Sequence, residues 1–131
     1  MANVFTTQIL MDGEQKVVVH AVGTLDTSDL AVTDLLDPAT LRVTNPPTTQ
    51  LRIDRIQYDV EDLLTVSLLW DATADVVAYN CVGREDFIAN NFGGLLNNAG
   101  AGKTGKIQIS TQGWVAAAIL SFNITLECTK Q

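Results

Sequence analysis

Ala118-Ile119-Leu120-Ser121-Phe122-Asn123-Ile124-Thr125-Leu126-Glu127-Cys128 is the stretch that decides the fold. Ala118, Leu120, Phe122, Ile124, Leu126 and Cys128 fall on one side of an extended chain; Ser121, Asn123, Thr125 and Glu127 fall on the other. A period of two is what a strand with one buried and one wet face requires. A helix would scatter the same residues around its circumference. The pattern places a strand over residues 115–128 and asks for a second sheet to cover its apolar side.

Working back from that strand, residues 106–111 alternate through Ile107 and Ile109, and Leu64, Val66, Leu68 and Trp70 share one face with Thr65 and Ser67 on the other. Asp71-Ala72-Thr73-Ala74-Asp75 reads as a turn into a strand over residues 76–82. Leu51 and Ile53 alternate in one phase, and Ile56 and Tyr58 in the other. A one-residue bulge near Asp54-Arg55 would return both pairs to a common inward face. At the N-terminus, residues 4–11 and 15–22 flank Asp12-Gly13, a pair suited to a hairpin turn. Val17-Val18-Val19 adds β-branched residues that suit a pleated surface.

Two stretches read less cleanly. Asp26-Thr27-Ser28-Asp29 could cap a short helix through Leu36, but no glycine follows to close it, and a loop with a strand over residues 31–36 is the reading favoured. Asp37-Pro38 and Asn45-Pro46-Pro47 mark irregular connections. Seven or eight short strands separated by turn signals predict an all-β fold, a β-sandwich or jelly-roll-like barrel of short antiparallel strands. The length of 131 residues makes residues 1–131 one β-domain, large enough to hold a core without staples.

With 8 basic and 15 acidic residues the formal charge is −7, which argues against nucleic acid and against an anionic membrane surface as partners. No apolar run approaches the ~20 residues of a membrane span. Met1-Ala2-Asn3-Val4-Phe5-Thr6 lacks the form of a secretory signal, so synthesis and folding in a cytoplasm are expected. Cys81 and Cys128 are expected to be free, buried thiols. With 47% hydrophobic residues, the chain is richer in apolar side chains than a solvated sandwich needs, which hints at surface covered by a partner.

Signals for chemistry are weak. Gly100-Ala101-Gly102-Lys103-Thr104 resembles the end of a phosphate-binding loop, but Asn97 stands where that motif needs glycine, and a strand pattern follows where it needs a helix. His20 is the single histidine, with no nucleophile signature beside it, and reads as a structural or surface imidazole. Asp59-Val60-Glu61-Asp62 and Asp71 with Asp75 could gather around calcium, although aspartates in turns more often accept backbone hydrogen bonds. Asn123-Ile124-Thr125 matches a glycosylation sequon but carries no weight without a secretory signal. Trp70 and Trp114 read as core or interface anchors rather than a sugar platform. No catalytic residue, cofactor, metal site or small-molecule substrate is expected.

Residues 90–105 hold five of the nine glycines and form a long irregular loop, of the kind that is functional or pinned by a partner. Phe92, Gly93, Gly94, Leu95, Asn97, Asn98, Gly100, Gly102 and Lys103 are its candidate interface residues.

Three segments together resemble small structural proteins of tailed bacteriophages. They are Thr6-Thr7-Gln8-Ile9 through Asp12-Gly13-Glu14 to Val17-Val18-Val19, then Leu68-Leu69-Trp70-Asp71-Ala72-Thr73, and then Phe92-Gly93-Gly94-Leu95 through Asn97-Asn98-Ala99-Gly100-Ala101-Gly102-Lys103-Thr104-Gly105 into residues 106–111. The resemblance implies a virion component, a capsid decoration or cement protein that clamps neighbouring copies of a major capsid protein and forms a homo-oligomer. Another virion part (tail, neck or head fibre) and a carbohydrate- or receptor-binding β-module are the rival readings.

Overall fold

A computed structural model describes residues 3–42, 47–116 and 118–131. Among the described residues nine strands are present: β1 (Val4–Asp12), β2 (Lys16–Leu25), β3 (Thr33–Leu36), β4 (Leu51–Val60), β5 (Thr65–Trp70), β6 (Val76–Cys81), β7 (Arg84–Phe87), β8 (Ile107–Gln112) and β9 (Leu120–Lys130). They form two antiparallel sheets, in the orders β1-β2-β9-β4-β7 and β3-β8-β5-β6. Four pairs nest inside one another: β2 with β9, β3 with β8, β4 with β7 and β5 with β6. A long hairpin rolled over on itself gives this order, so the sandwich is a jelly roll with β1 added at one edge.

β9 is the hub of the larger sheet, with β2 on one side and β4 on the other. Its Phe122, Ile124, Leu126 and Cys128 are at most 1% exposed, alongside Val17, Val19 and Ala21 of β2 and Ile53 and Ile56 of β4. From the smaller sheet Val66, Leu68, Trp70, Ile107 and Ile109 close the same core. The Phe122 ring lies over Gly23, its cross-strand partner, where a Cβ would overlap it. At the opposite side, Tyr79 of β6 stacks on Phe87 of β7 at 4.6 Å, with Tyr58 at 6.1 Å, bridging the two sheets where they part.

The expected bulge is where the alternation slips. The register between β4 and β9 shifts between Ile53 and Arg55, so that Ile53 and Ile56 both face inward. The extra residue, Asp54, is buried beneath charged neighbours: Lys16 Nζ donates to it at 2.6 Å, Arg52 Nε at 2.9 Å, and the Thr129 hydroxyl also donates. Burial pushes the Asp54 carboxyl up, and these donors more than offset it, holding it below the ordinary aspartate value.

Several expectations need correction. The strand placed over residues 115–128 begins only at Leu120 and runs to Lys130, because Trp114 and Ala118 close a loop on themselves through Trp114 Nε1 to the Ala118 carbonyl, at 3.1 Å. Ala117, within that stretch, and Asn45-Pro46, within the second irregular connection, lie outside the described residues. β7, Arg84-Glu85-Asp86-Phe87, was hidden by its charge, which suits an edge strand. Gly13 does not use a positive φ; its amide donates to the Lys16 carbonyl at 2.9 Å. Residues 26–32 are a loop leading into β3, as the favoured reading had it.

Because Asp54 sits below its unfolded value, its contribution to stability is complete above about pH 4 and is lost as pH falls through the folded value. Asp54→Asn should lower unfolding free energy by about 1–3 kcal/mol at pH 7. Urea titrations across pH should show that deficit shrinking below about pH 4.

Candidate functional site

The loop of residues 88–106 leaves β7 and returns to β8. It opens with a 3₁₀ turn at Ala89–Phe92, with Ala89 buried, and Gly94 N donates to the Ala89 carbonyl at 2.9 Å. Leu95 then pairs with Ile53 of β4 in both directions, at 2.8 and 3.0 Å, adding one antiparallel bridge to the larger sheet. Asn97 folds inward, its Oδ1 accepting from Ala99 N at 3.0 Å while its Nδ2 is buried and unpartnered. Farther on, Thr73 N donates to the Ala101 carbonyl at 3.2 Å, and the Thr104 hydroxyl donates to Asp71 at 2.7 Å. Gly102 holds φ 79 against Thr73, where a Cβ would overlap the threonine side chain.

The loop backbone is thus fastened at both β4 and the turn between β5 and β6. Its residues divide accordingly. Leu95 and Asn97 turn toward the domain, and Gly94 and Gly102 pack against Arg52 and Thr73. Phe92, Gly93, Asn98, Gly100 and Lys103 face outward. Phe92 is 81% exposed, and Leu96, which was not among the candidate interface residues, is 59% exposed. Two large apolar side chains are therefore held out into water on a backbone hydrogen-bonded to the domain.

Other candidates for chemistry come apart. His20 Nδ1 shares a hydrogen bond with the Thr125 hydroxyl at 3.0 Å on the outer face of the larger sheet. Asp71 and Asp75 serve their own turns, Asp75 accepting from Ala72 N at 3.1 Å and Asp71 from Thr104. Among the described residues no group of three or more His, Cys, Asp or Glu could hold a metal. Lys103 is followed by β8 rather than a helix, so its loop lacks the amides of a phosphate cradle. Trp70 is 1% exposed, and Trp114 is partly buried with its indole N–H bonded. Neither forms an open stacking platform. Cys81 and Cys128 are free and buried, and burial pushes the Cys81 thiol up to about 12.

A shallow cleft of about 410 Å³ lies on the outer face of the larger sheet, lined by Gln57, Asp59, Arg84, Asp86, Asn123 and Thr125. Part of its wall is committed already, since Arg55 forks onto Asp86 at 2.8 and 2.5 Å. Among the described residues no helix is long and apolar enough to cross a membrane.

No protein-family model matches the chain, and no curated protein matches it in sequence. Among solved structures, 93% of the chain superposes on peruvianin-I, a cysteine peptidase from Thevetia peruviana latex, with a TM-score of 0.37 and 8% identity. The chain spans 60% of that structure's length. A likeness this distant bears on neither fold nor function.

The loop geometry separates two glycines that look alike in sequence. Gly100 has open space around its Cα, whereas Gly102 needs both its positive φ and its missing Cβ. In chemical denaturation Gly100→Ala should stay within about 0.5 kcal/mol of the parent. Gly102→Ala should cost about 1–3 kcal/mol.

Proposed function

We propose that this chain is a virion structural protein, a capsid decoration or cement protein that binds the outer shell and ties neighbouring major capsid subunits together. The observation that carries this reading is the display of Phe92 and Leu96 on a fastened loop. A large apolar side chain held in water contributes nothing to the domain's own core; covered by a neighbouring protein, it contributes the full transfer free energy. A rigid loop also loses little further entropy on docking. The jelly roll serves viral capsid domains as well as lectins and cupins, so the fold is compatible with the reading without selecting it.

In this reading the chain performs no catalysis and needs no cofactor, and its acidic balance suits a place outside the shell, away from packaged nucleic acid. Self-association, which the sequence resemblance implies, has a ready seam at β1. That nine-residue edge strand exposes Ile9, Leu10 and Met11 and carries no charge before Asp12. It lacks the lysines, prolines and short length by which edge strands usually avoid pairing. A tail, neck or head-fibre position would use the same surfaces, and particle binding separates it from the shell.

The test is uptake by capsid particles that lack this protein. The double variant Phe92→Ser, Leu96→Ser should remain folded by circular dichroism and bind such particles at least tenfold more weakly. Undiminished uptake would remove the loop from the interface. Failure of the parent protein to bind any particle would remove the shell.

A further inference from the structure

The opposite end of the sandwich carries a second apolar display, built by different loops. Residues 26–32, 61–64, 82–83, 113–116 and 118–119 all lie at this end and are laced to one another. Val60 N donates to the Gly83 carbonyl at 2.7 Å, Glu61 N to Ser121 at 3.3 Å, Thr111 N to Leu30 at 3.2 Å and Trp114 N to the Asp29 carboxylate at 3.0 Å. From these loops Val32, Leu63, Val82, Val115 and Ile119 stand 50% to 73% exposed.

Leu63 is the telling residue. It is 73% exposed and holds φ 75, the one positive φ outside glycine among the described residues. The turn is fixed there by Leu64 N donating to Glu61 O at 3.2 Å, and by Gly113, which lies so close to the Leu63 carbonyl that a Cβ on it would overlap. Glycine or asparagine would take this backbone conformation with less strain, and a polar side chain would be better hydrated. Leucine bears both costs while its side chain lies outside the core. Strain of this kind, tied to an exposed apolar group, points to a contact made outside the domain.

Charge identifies the kind of partner. In and beside these loops stand Asp26, Asp29, Asp59, Glu61, Asp62 and Glu85, with Arg84 as the one basic residue. The remaining lysines and arginines lie toward the other end, where Lys16, Arg52 and Lys130 meet acidic partners, Asp54 and Asp12. An apolar face with an acidic rim repels a second copy of itself and an anionic lipid surface, and it attracts a protein surface that is both apolar and basic.

We infer that the end formed by Leu63, Val82, Val115 and Ile119 is a docking face for a basic, apolar protein segment. With the loop of residues 88–106 at the other end, the rigid sandwich then holds two partners apart, as a clamp must. The inference concerns this surface alone and stands whether or not the partner at the other end is a capsid.

The experiment titrates the isotope-labelled full chain with a synthetic peptide of alternating leucine and lysine, followed by amide chemical shifts. Saturable shifts should concentrate at residues 61–64, 82–83, 113–116 and 118–119, and affinity should fall at least tenfold between low and high salt. A matching leucine–glutamate peptide should leave these amides unmoved. Leu63→Asn should keep or raise the thermal midpoint while weakening the peptide at least fivefold, and Ile119→Ser should weaken it without unfolding the chain. Shifts centred on residues 92–103 or on β1, equal binding of the acidic peptide, or self-association through this end would each overturn the inference. So would the absence of saturable binding. None of these results depends on capsid particles, so this surface can fail while the shell reading stands, and the reverse.

Discussion

The double pairing of β9 is the constraint on which the rest depends. A strand with neighbours on both sides has its register set twice, by β2 through Val17↔Cys128 to Leu25↔Leu120 and by β4 through Leu51↔Lys130 to Val60↔Phe122. A slip of one residue in either pairing would turn Phe122, Ile124 and Leu126 out of the core. The β4 sequence changes phase between Ile53 and Ile56, so the pairing survives only with an extra residue. Asp54 is that residue, and its carboxylate is tolerable there because Lys16, Arg52 and Thr129 close over it. The hydrophobic register of the sheet and a small charged network on its outer face are therefore one problem with one solution.

Much of this is legible in the residues. Alternation in β9 and β5 marks the core faces, and the phase change in β4 marks the bulge, because a buried face tolerates no other reading. What escapes is what burial does not enforce. β7 is an edge strand whose Arg84, Glu85 and Asp86 look like a loop, and its place is set by pairing with β4 rather than by an apolar pattern of its own. The residues before Leu120 mislead in the opposite way. Val115 and Ile119 read as part of a strand, yet they are exposed in a loop, since nothing in a single sequence separates an apolar residue that packs within the domain from one that packs outside it. The same limit applies to the glycine-rich loop. Its existence follows from composition, but the inward turn of Asn97 and the outward position of Leu96 follow from the bridge at Ile53 and Leu95.

These misread residues are the ones that matter for a binding role. Most of the large apolar side chains that prove exposed are gathered at the two ends of the sandwich and along the edge strand β1. Short loops laced to one another hold one set, and a loop fastened to β4 and to the β5–β6 turn holds the other. In the proposed roles, a domain of this design acts as a spacer with a docking surface at each end.

The central claim, that the chain works by coating an assembled particle, is tested most directly by imaging particles assembled with and without it. The account predicts a difference density on the outer surface of the shell, one sandwich of 14.1 kDa per site, with the residue 88–106 loop against the capsid lattice. Identical particles in the two preparations, or density confined to the interior, would contradict it.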